Sequence, residues 1–174
     1  VTRQGLSSYY DNSGILLGEN ALKTARTQAA ALKKQGADIV IVIAHCGMGN
    51  ESSGESDQDV GYALSKLEDV DCVMLGHQHR NYPSEDANAK IFYKLPNIDE
   101  TNGLTNGKPV VMVADHAAGI GIADMTLKID GDKVSVASSK AEVRKSSILV
   151  MEDPEIANSV EEYDSVIKGT YNEI

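Results

Sequence analysis

Three of the four histidines in this 174-residue chain directly follow apolar segments. His45 comes after "ADIVIVIA" (37–44), while His77 and His79 come after "DCVML" (71–75) and one glycine. Neutral imidazole is a common ligand of transition-metal ions such as Zn, Fe and Ni. The glycine permits a sharp turn, and residues at i and i+2 on extended backbone project to the same side. The spacing therefore predicts a cluster of metal-ligating histidines.

A structural interpretation of the same histidines competes with this one. A single histidine at the end of a strand is commonly a solvated or hydrogen-bonded polar group. A dinuclear hydrolytic centre also needs carboxylates that bridge the ions and balance their charge, and no Asp or Glu stands in a matched position. Asp57 and Asp59 are expected to lie at a helix N-terminus and not to act as ligands. Spacing alone leaves both interpretations open.

The segments around the histidines are predicted to alternate between helix and strand. The apolar spacing indicates a helix over 20–35, a buried strand over 37–44, a Gly- and Ser-rich loop over 47–57, a second helix that begins at a Ser56–Asp59 capping box, and a second buried strand over 71–75. Helix–strand–helix–strand is typical of a right-handed parallel crossover. His45 and His77 then follow the carboxyl ends of neighbouring strands, where open α/β sheets bind ligands.

The second half of the chain has a different pattern. Residues 81–109 are rich in turn formers, and 110–114 is predicted to be a strand. Two alternating segments, 119–130 and 133–144, are joined by Gly-Asp, which indicates a β-hairpin. A final helix is predicted over 152–171, with Asp153 as a cap and Pro154 in its first turn.

Composition narrows the class of partner. The net charge of −10 at pH 7 argues against a nucleic-acid polymer, because surfaces that bind one are usually basic. A small phosphorylated substrate stays compatible, since a few bound metal ions reverse the local field. No segment is long and apolar enough to span a membrane, and no signal peptide is visible. Cys46 and Cys72 are expected at opposite ends of the sheet, too far apart for a disulfide.

Three stretches together carry a resemblance to a known family. They are "ADIVIVIAHCGMG" (37–49), "VDCVMLGHQHRNYP" (70–83) and "KPVVMVADHAAGIGIADMTLKID" (108–130). In this order they resemble the calcineurin-like metallophosphoesterases, and more narrowly the secreted 5′-nucleotidases and 2′,3′-cyclic-nucleotide 2′-phosphodiesterase/3′-nucleotidases. "GHQH" matches the Gly-His-x-His signature of that family, and "AHCG" matches its upstream His-x-Gly element. The terminal "DPEIANSVEEYDSVIKGTYNEI" resembles the helix that leads out of the phosphoesterase domain.

The resemblance implies an αββα sandwich with a centre of two divalent metal ions, such as Mn, Zn or Fe. Carried over by position, His45 and His77 ligate one ion and His79 ligates the other. The ions polarise the phosphate and activate a bound water that attacks phosphorus in line. The implied substrate is a nucleotide or another small phosphate ester, and the implied location is secreted, periplasmic or attached to the cell wall.

The family elements that are missing are equally informative. Its Asp-x-His, Gly-Asp and Gly-Asn-His-Glu elements, which supply the bridging aspartate and the other ligands, do not occur in this sequence. The chain also starts at Val1 in the middle of a pattern. We therefore expect residues 1–150 to be the C-terminal half of the phosphoesterase domain, and residues 151–174 to be a linker helix towards a further domain. Separated from the N-terminal half, the segment should bind metal weakly and show no meaningful turnover.

Several neighbouring residues are weaker candidates for contacts with substrate. The backbone of Gly47 is expected near the site, and Arg80 and Asn81 could touch phosphate. His116, next to Asp115, could add a substrate or metal contact at the same rim. For each of them a solvated loop is the competing explanation. At the level of the whole chain, the competing hypothesis is a non-catalytic module that binds a metal ion or a phosphorylated ligand.

Overall fold

The computed structural model describes residues 20–84 and 92–171, which form a mixed α/β fold as predicted. The helices and strands are, in chain order, α1 (Ala21–Lys34), β1 (Ile41–Ile43), α2 (Gly61–Ser65), β2 (Cys72–Leu75), a short 3-10 helix (Phe92–Lys94), β3 (Ile98–Asp99), β4 (Leu104–Thr105), β5 (Lys108–Met112), β6 (Gly119–Asp130), β7 (Lys133–Lys145) and α3 (Pro154–Tyr171).

The central sheet has the strand order β1-β2-β5-β4-β3. β1, β2 and β5 are parallel to one another, while β3 and β4 run antiparallel beside β5. Val73 of β2 lies opposite Val42 on one side and opposite Val110 on the other, and all three are buried. Because β1, β2 and β5 are parallel, the loops that follow them leave from the same edge of the sheet.

The expectation of a strand buried on both faces is wrong for β1. Val42 is buried, but Ile41 and Ile43 are 45% and 70% exposed. Val42 belongs to the same apolar cluster as Leu22 and Ala25 of α1, so the helix covers one face only. β1 is also the edge strand among the strands that the structure describes. Burial on both faces requires a neighbour on each face, and the described residues provide one.

The predicted capping box is wrong as well. α2 is a short helix whose N-cap is Val60, and no side chain caps it. Asp59 instead accepts a hydrogen bond from the backbone N–H of Gly47, across the loop that separates β1 from α2. A carboxylate just before a helix can accept from more than one backbone N–H. Here it accepts from an N–H that is distant in sequence and not from the first turn of the helix.

The long hairpin β6–β7 packs against β5. Gly121 lies so close to β5 that an added Cβ would be 2.7 Å from Val111 Cγ2. On the other strand of the hairpin, the N–H of Ala141 donates to the carbonyl of Asn102 at 2.7 Å. The hairpin matches its predicted bounds to within one residue. Two β layers, with α1 outside the first, therefore make up the described sandwich.

The last helix, α3, begins with the predicted cap. Asp153 Oδ1 accepts from the N–H of Glu155 at 2.9 Å. The apolar stripe of this helix is exposed, and its members are Ile156, Val160, Tyr163 and Ile167. None of the helices described over 20–84 and 92–171 is long and apolar enough to cross a bilayer. Cys46 and Cys72 are both buried free thiols, as expected.

Candidate metal centre

The carboxyl-end edge of the parallel strands gathers the histidines that the sequence singled out. His45 follows β1 by two residues, and His77 follows β2 by two. Asp115 follows β5 by three, with His116 beside it. This edge is where open α/β sheets bind ligands. The predicted placement of the histidines after neighbouring parallel strands is confirmed.

His45 and His77 face each other across β1 and β2. Their ring centroids are 5.7 Å apart, and the ring planes are inclined at 61°. Two imidazoles that share one ion, each with a nitrogen about 2.0–2.1 Å from the metal, have centroids roughly 5–6 Å apart. Gly76 makes room for the pair, because an added Cβ there would be 3.3 Å from His45 Nδ1. The spacing of this pair therefore fits one shared ion.

The backbone of the histidine loop is not extended, which corrects the argument from extended spacing. His77 has φ 68° and His79 has φ 52°, both in the left-handed region. The loop turns back on itself, with the N–H of Gln78 donating to the carbonyl of Gly76 at 2.8 Å. Residues other than glycine adopt this region at a cost, and such strain clusters at functional sites.

The imidazoles of His77 and His79 contact partners on opposite sides of β2. His77 Nε2 is 2.9 Å from the side-chain amide nitrogen of Gln58, in the segment between β1 and α2. His79 Nδ1 is 3.2 Å from Asp115 Oδ2, in the loop after β5. Because β2 lies between β1 and β5, this divergence is compatible with the two histidines serving different ions.

A network of hydrogen bonds under the histidines fixes the two loops to each other. Gln78 Oε1 accepts from the N–H of Met48 at 3.1 Å, and its amide nitrogen donates to Asp59 Oδ2 at 3.0 Å. Asp59 Oδ1 accepts from the N–H of Gly47 at 2.6 Å. An added Cβ on Gly47 would be 2.1 Å from Gln78 Cδ, so a larger residue here would displace the Gln78 side chain. The network holds the loop that carries His45 against the loop that carries His77 and His79.

Sequence reasoning missed Gln78 and Asp59. Gln78 is the central residue between the two histidines of "GHQH", and this position was the one available signal. The sequence around Asp59 indicates a helix cap, and it carries no signal of a contact with residue 78. Gly47 lies against Gln78 of the histidine loop, and its N–H donates to Asp59 and is not presented to a ligand.

The remaining predicted contacts divide between the loops after β2 and β5. Asn81 is half-buried and accepts a hydrogen bond from the N–H of Ala114 at 2.9 Å, which joins these loops. Arg80 is half-buried beside it. His116 is the most exposed of the group, with 91% of its side chain accessible, and its Nδ1 is 2.7 Å from Asp115 Oδ2.

The described residues fit part of a dinuclear centre and not a whole one. Over 20–84 and 92–171, no three or more His, Cys, Asp or Glu side chains lie close enough together to hold an ion. The donor set consists of imidazoles that suit Zn, Fe or similar ions. A carboxylate that could bridge two ions is not among the side chains around His45 and His77 that the structure describes.

The two thiols do not contribute a nucleophile. Burial raises the pKa of Cys72 to about 11, with the neighbouring Asp71 acting in the same direction. Burial also raises the pKa of Cys46, although a backbone hydrogen bond involving Val60 opposes it. Because the thiolate is the reactive form, both cysteines belong to the core.

No family model matches the chain. Known proteins that are similar to it match most of this chain but only part of their own length. The chain is 34% identical over 141 residues to the 2′,3′-cyclic-nucleotide 2′-phosphodiesterase/3′-nucleotidase of Haemophilus influenzae, which covers 78% of this chain and 21% of that protein. The protein of the same name from Salmonella typhimurium is 33% identical over 132 residues, which cover 76% of this chain and 20% of that protein. The trifunctional nucleotide phosphoesterase protein YfkN of Bacillus subtilis is 25% identical over 126 residues, which cover 72% of this chain and 8% of that protein.

A solved structure gives the fold. The calcineurin-like phosphoesterase YfkN from Bacillus subtilis superimposes with a TM-score of 0.78 over 90% of this chain and 47% of that chain, at 22% identity. The chain therefore has part of the calcineurin-like phosphoesterase fold. It spans about a fifth of the length of the Haemophilus and Salmonella relatives. The resemblance predicted from the three sequence stretches is confirmed.

Proposed function

We propose that this chain supplies one part of the catalytic domain of a dimetal phosphoesterase that hydrolyses nucleotide phosphate esters. The observation that carries the proposal is the arrangement of His45 and His77, whose ring centroids are 5.7 Å apart at the edge of parallel strands, with His79 two residues further along the loop after β2. The similarity to proteins named as 2′,3′-cyclic-nucleotide 2′-phosphodiesterase/3′-nucleotidases supports the substrate class.

The residues of the chain would divide the work of such a centre. His45 and His77 would hold one ion, and His79 would hold the other. Two divalent ions bound here would polarise the phosphate and lower the pKa of a bound water. Gln78 keeps the histidine loop in register with the loop after β1, through its bond to the N–H of Met48. Arg80 lies next to His79 and would contact a phosphate oxygen.

The carboxylates of the centre would come from another part of the protein. The described residues lack a group of three or more close ligands, and the chain covers 21% of its Haemophilus relative. In this proposal residues 1–150 form the C-terminal half of the phosphoesterase domain, and residues 151–174 lead to a further domain. A location outside the cytoplasm, in the periplasm, the cell wall or the medium, belongs to the same proposal.

The test is an assay of hydrolysis by the full-length protein that carries this chain. The protein is stripped with a chelator, reloaded with Mn²⁺ or Zn²⁺, and offered 2′,3′-cyclic AMP, 3′-AMP and 5′-AMP in parallel. We expect phosphate-ester hydrolysis that disappears with the metal and returns on reloading. Hydrolysis that does not depend on metal would contradict the proposal. Failure of the metal-loaded protein to cleave any of the three substrates would contradict it as well.

One observation favours the alternative of a non-catalytic binding module. His45 and His77 lie close enough together to share one ion. Among the described residues, however, no group of three or more candidate ligands could hold a metal ion. A module of this kind would bind one metal ion per chain and turn over none of the three nucleotides. Metal content measured beside the hydrolysis assay separates the two functions.

A further inference from the structure

We infer that Asp115 is a positioning residue for His79, which fixes the ring so that Nε2 is presented to a metal ion. This inference rests on the function proposed above. Asp115 lies in the loop after β5 and His79 in the loop after β2, so the contact joins neighbouring parallel strands. Sequence spacing gave Asp115 no defined role.

The contact between His79 and Asp115 selects one tautomer of the ring. His79 Nδ1 is 3.2 Å from Asp115 Oδ2. An ionised carboxylate only accepts hydrogen bonds, so the ring nitrogen that faces it must carry the proton. In a neutral imidazole the lone pair then resides on the other nitrogen, Nε2. A ligating histidine is commonly held in this way, with its second nitrogen donating to a carboxylate.

His77 has a partner of the opposite kind. Its Nε2 is 2.9 Å from the amide nitrogen of Gln58, and an amide NH₂ can only donate. His77 Nε2 therefore accepts from Gln58 and would ligate an ion only with Gln58 displaced, whereas His79 Nδ1 donates to Asp115 and keeps the lone pair on Nε2. Of the two histidines of "GHQH", His79 is the one whose partner already selects a tautomer with a lone pair available for a metal ion.

Asp115 is itself held in position by the loop after β5. Its carbonyl accepts from the N–H of Ala118 at 3.1 Å, which closes a turn directly after β5. The N–H of Ala114 donates to Asn81 Oδ1 at 2.9 Å and fastens this loop to the histidine loop. The Asp115 side chain is 37% exposed, against 65% for His79. A better-anchored carboxylate thus holds a more exposed ring.

His116 offers a competing account of the same carboxylate. Its Nδ1 is 2.7 Å from Asp115 Oδ2, closer than His79, but its side chain is 91% exposed. If Asp115 served only to order its own loop, the contact with His116 would carry the effect. Separate variants of Asp115 and His116 distinguish the two accounts.

The experiment measures metal affinity in the full-length protein. Chelator-stripped wild type and variants are titrated with Co²⁺ against a chromophoric chelator, and the visible spectrum of bound Co²⁺ reports the geometry of the site. For Asp115→Ala we expect affinity to fall about 10–100-fold, with a changed spectrum. Asp115→Asn keeps an oxygen that can accept from Nδ1–H, so it should retain most of the affinity. The matched control is Asp124→Ala, which removes an exposed carboxylate paired with Lys140 on the hairpin and should leave the affinity unchanged.

Each outcome decides the inference. Wild-type affinity in Asp115→Ala overturns it, while metal-dependent hydrolysis by the wild type would leave the proposed function intact. An equal loss in His116→Ala and Asp115→Ala also overturns it, because the carboxylate would then act through His116. Absence of Co²⁺ binding by the wild type overturns both proposals. Loss in Asp115→Ala with rescue in Asp115→Asn supports the positioning role, and a cooperative thermal transition in each variant excludes misfolding as the cause.

Discussion

Two regions at the same edge of the sheet differ in packing and in backbone strain. The lower region, the loop network, consists of Gly47, Met48, Asp59 and Gln78, and its hydrogen bonds are 2.6–3.1 Å long. The upper region, the imidazole edge, consists of His45, His77, His79 and His116. Three of these four histidines have positive φ, and the side chains of His79 and His116 are 65% and 91% exposed.

We expect the loop network to contribute to folding stability and the imidazole edge to contribute to metal binding. The loop network is packed so closely that an added Cβ on Gly47 would be 2.1 Å from Gln78 Cδ. Changes there should cost folding free energy, because buried polar groups would lose their partners. The imidazole edge contributes little to the core, so changes there should alter metal binding and leave folding nearly intact. Strained and exposed ligands on a rigid support are the expected form of a binding site.

The largest expected effect is on hydrolysis, from removal of the His77 imidazole. His77→Gly suits the backbone, because glycine adopts φ 68° without strain. Since changes around metal ligands already cost about 10–100-fold, loss of a ligand should lower metal-dependent hydrolysis by more than about 100-fold. Thermal unfolding should be close to wild type. His77→Ala, the matched variant, should lose the same activity and also unfold close to wild type, because alanine and histidine bear the same Cβ strain at this φ.

The next effect is on stability, at Gly49. Its φ is +73°, and an added Cβ would be 2.1 Å from the backbone carbonyl oxygen of Asp59, which cannot move aside easily. We expect Gly49→Ala to lower the free energy of unfolding in urea by about 3 kcal/mol. Gly36→Ala is the control, because Gly36 also has a positive φ of +95° but nothing within 4 Å of an added Cβ. Equal losses in the two variants would show that the backbone of Gly49 is loosely packed against Asp59 of the loop network.

Two glutamines, one in each region, should differ in their effect on stability. Gln78 is bonded to Met48 and Asp59 in the loop network, while Gln58 is exposed and contacts His77 at the imidazole edge. Gln78→Ala should cost about 2 kcal/mol, because it leaves a backbone N–H and a carboxylate oxygen without their partner. Gln58→Ala should change stability by less than about 0.5 kcal/mol. Urea unfolding of both variants checks this, and the reverse order would break the division between the two regions.

The smallest of these effects concerns pH and the buried sheet. Burial raises the pKa of Cys72 to about 11 from 9.0. The thiol is therefore neutral in the folded protein over a range where it ionises in the unfolded chain. Stability should be fully present below pH 9 and fall as pH rises towards 11, by about 1 kcal/mol between pH 8 and pH 10. Cys72→Ala should lose less over this range, and parallel pH profiles for the two proteins would contradict the assignment.

Much of the fold follows from local patterns in the sequence. The helix predicted over 20–35 is α1, the hairpin has its predicted strands, and α3 begins two residues after its predicted start. These elements have clear apolar periods or turn signals. The histidines at the strand ends were also predictable, because a strand followed by a polar residue can be recognised without knowledge of the rest of the fold.

The features that were missed depend on contacts between distant segments. The bond from Gln78 to Asp59 links residues 19 positions apart, and nothing local distinguishes that Asp from a helix cap. The left-handed φ of His77 and His79 has no signal in residue type, since only glycine strongly indicates it. The exposure of Ile43 depends on what lies against its face of β1, which the sequence of the strand does not reveal.

The most direct test of the central claim is the metal content of the full-length protein. The claim is that this chain contributes the imidazoles of a two-metal centre through His45, His77 and His79. Wild type and the triple variant His45→Ala, His77→Gly, His79→Ala are loaded with Mn²⁺, freed of excess metal and analysed by elemental analysis. We expect two ions per wild-type molecule and a loss of bound metal in the triple variant. Two ions retained by the triple variant, at unchanged affinity, would contradict it.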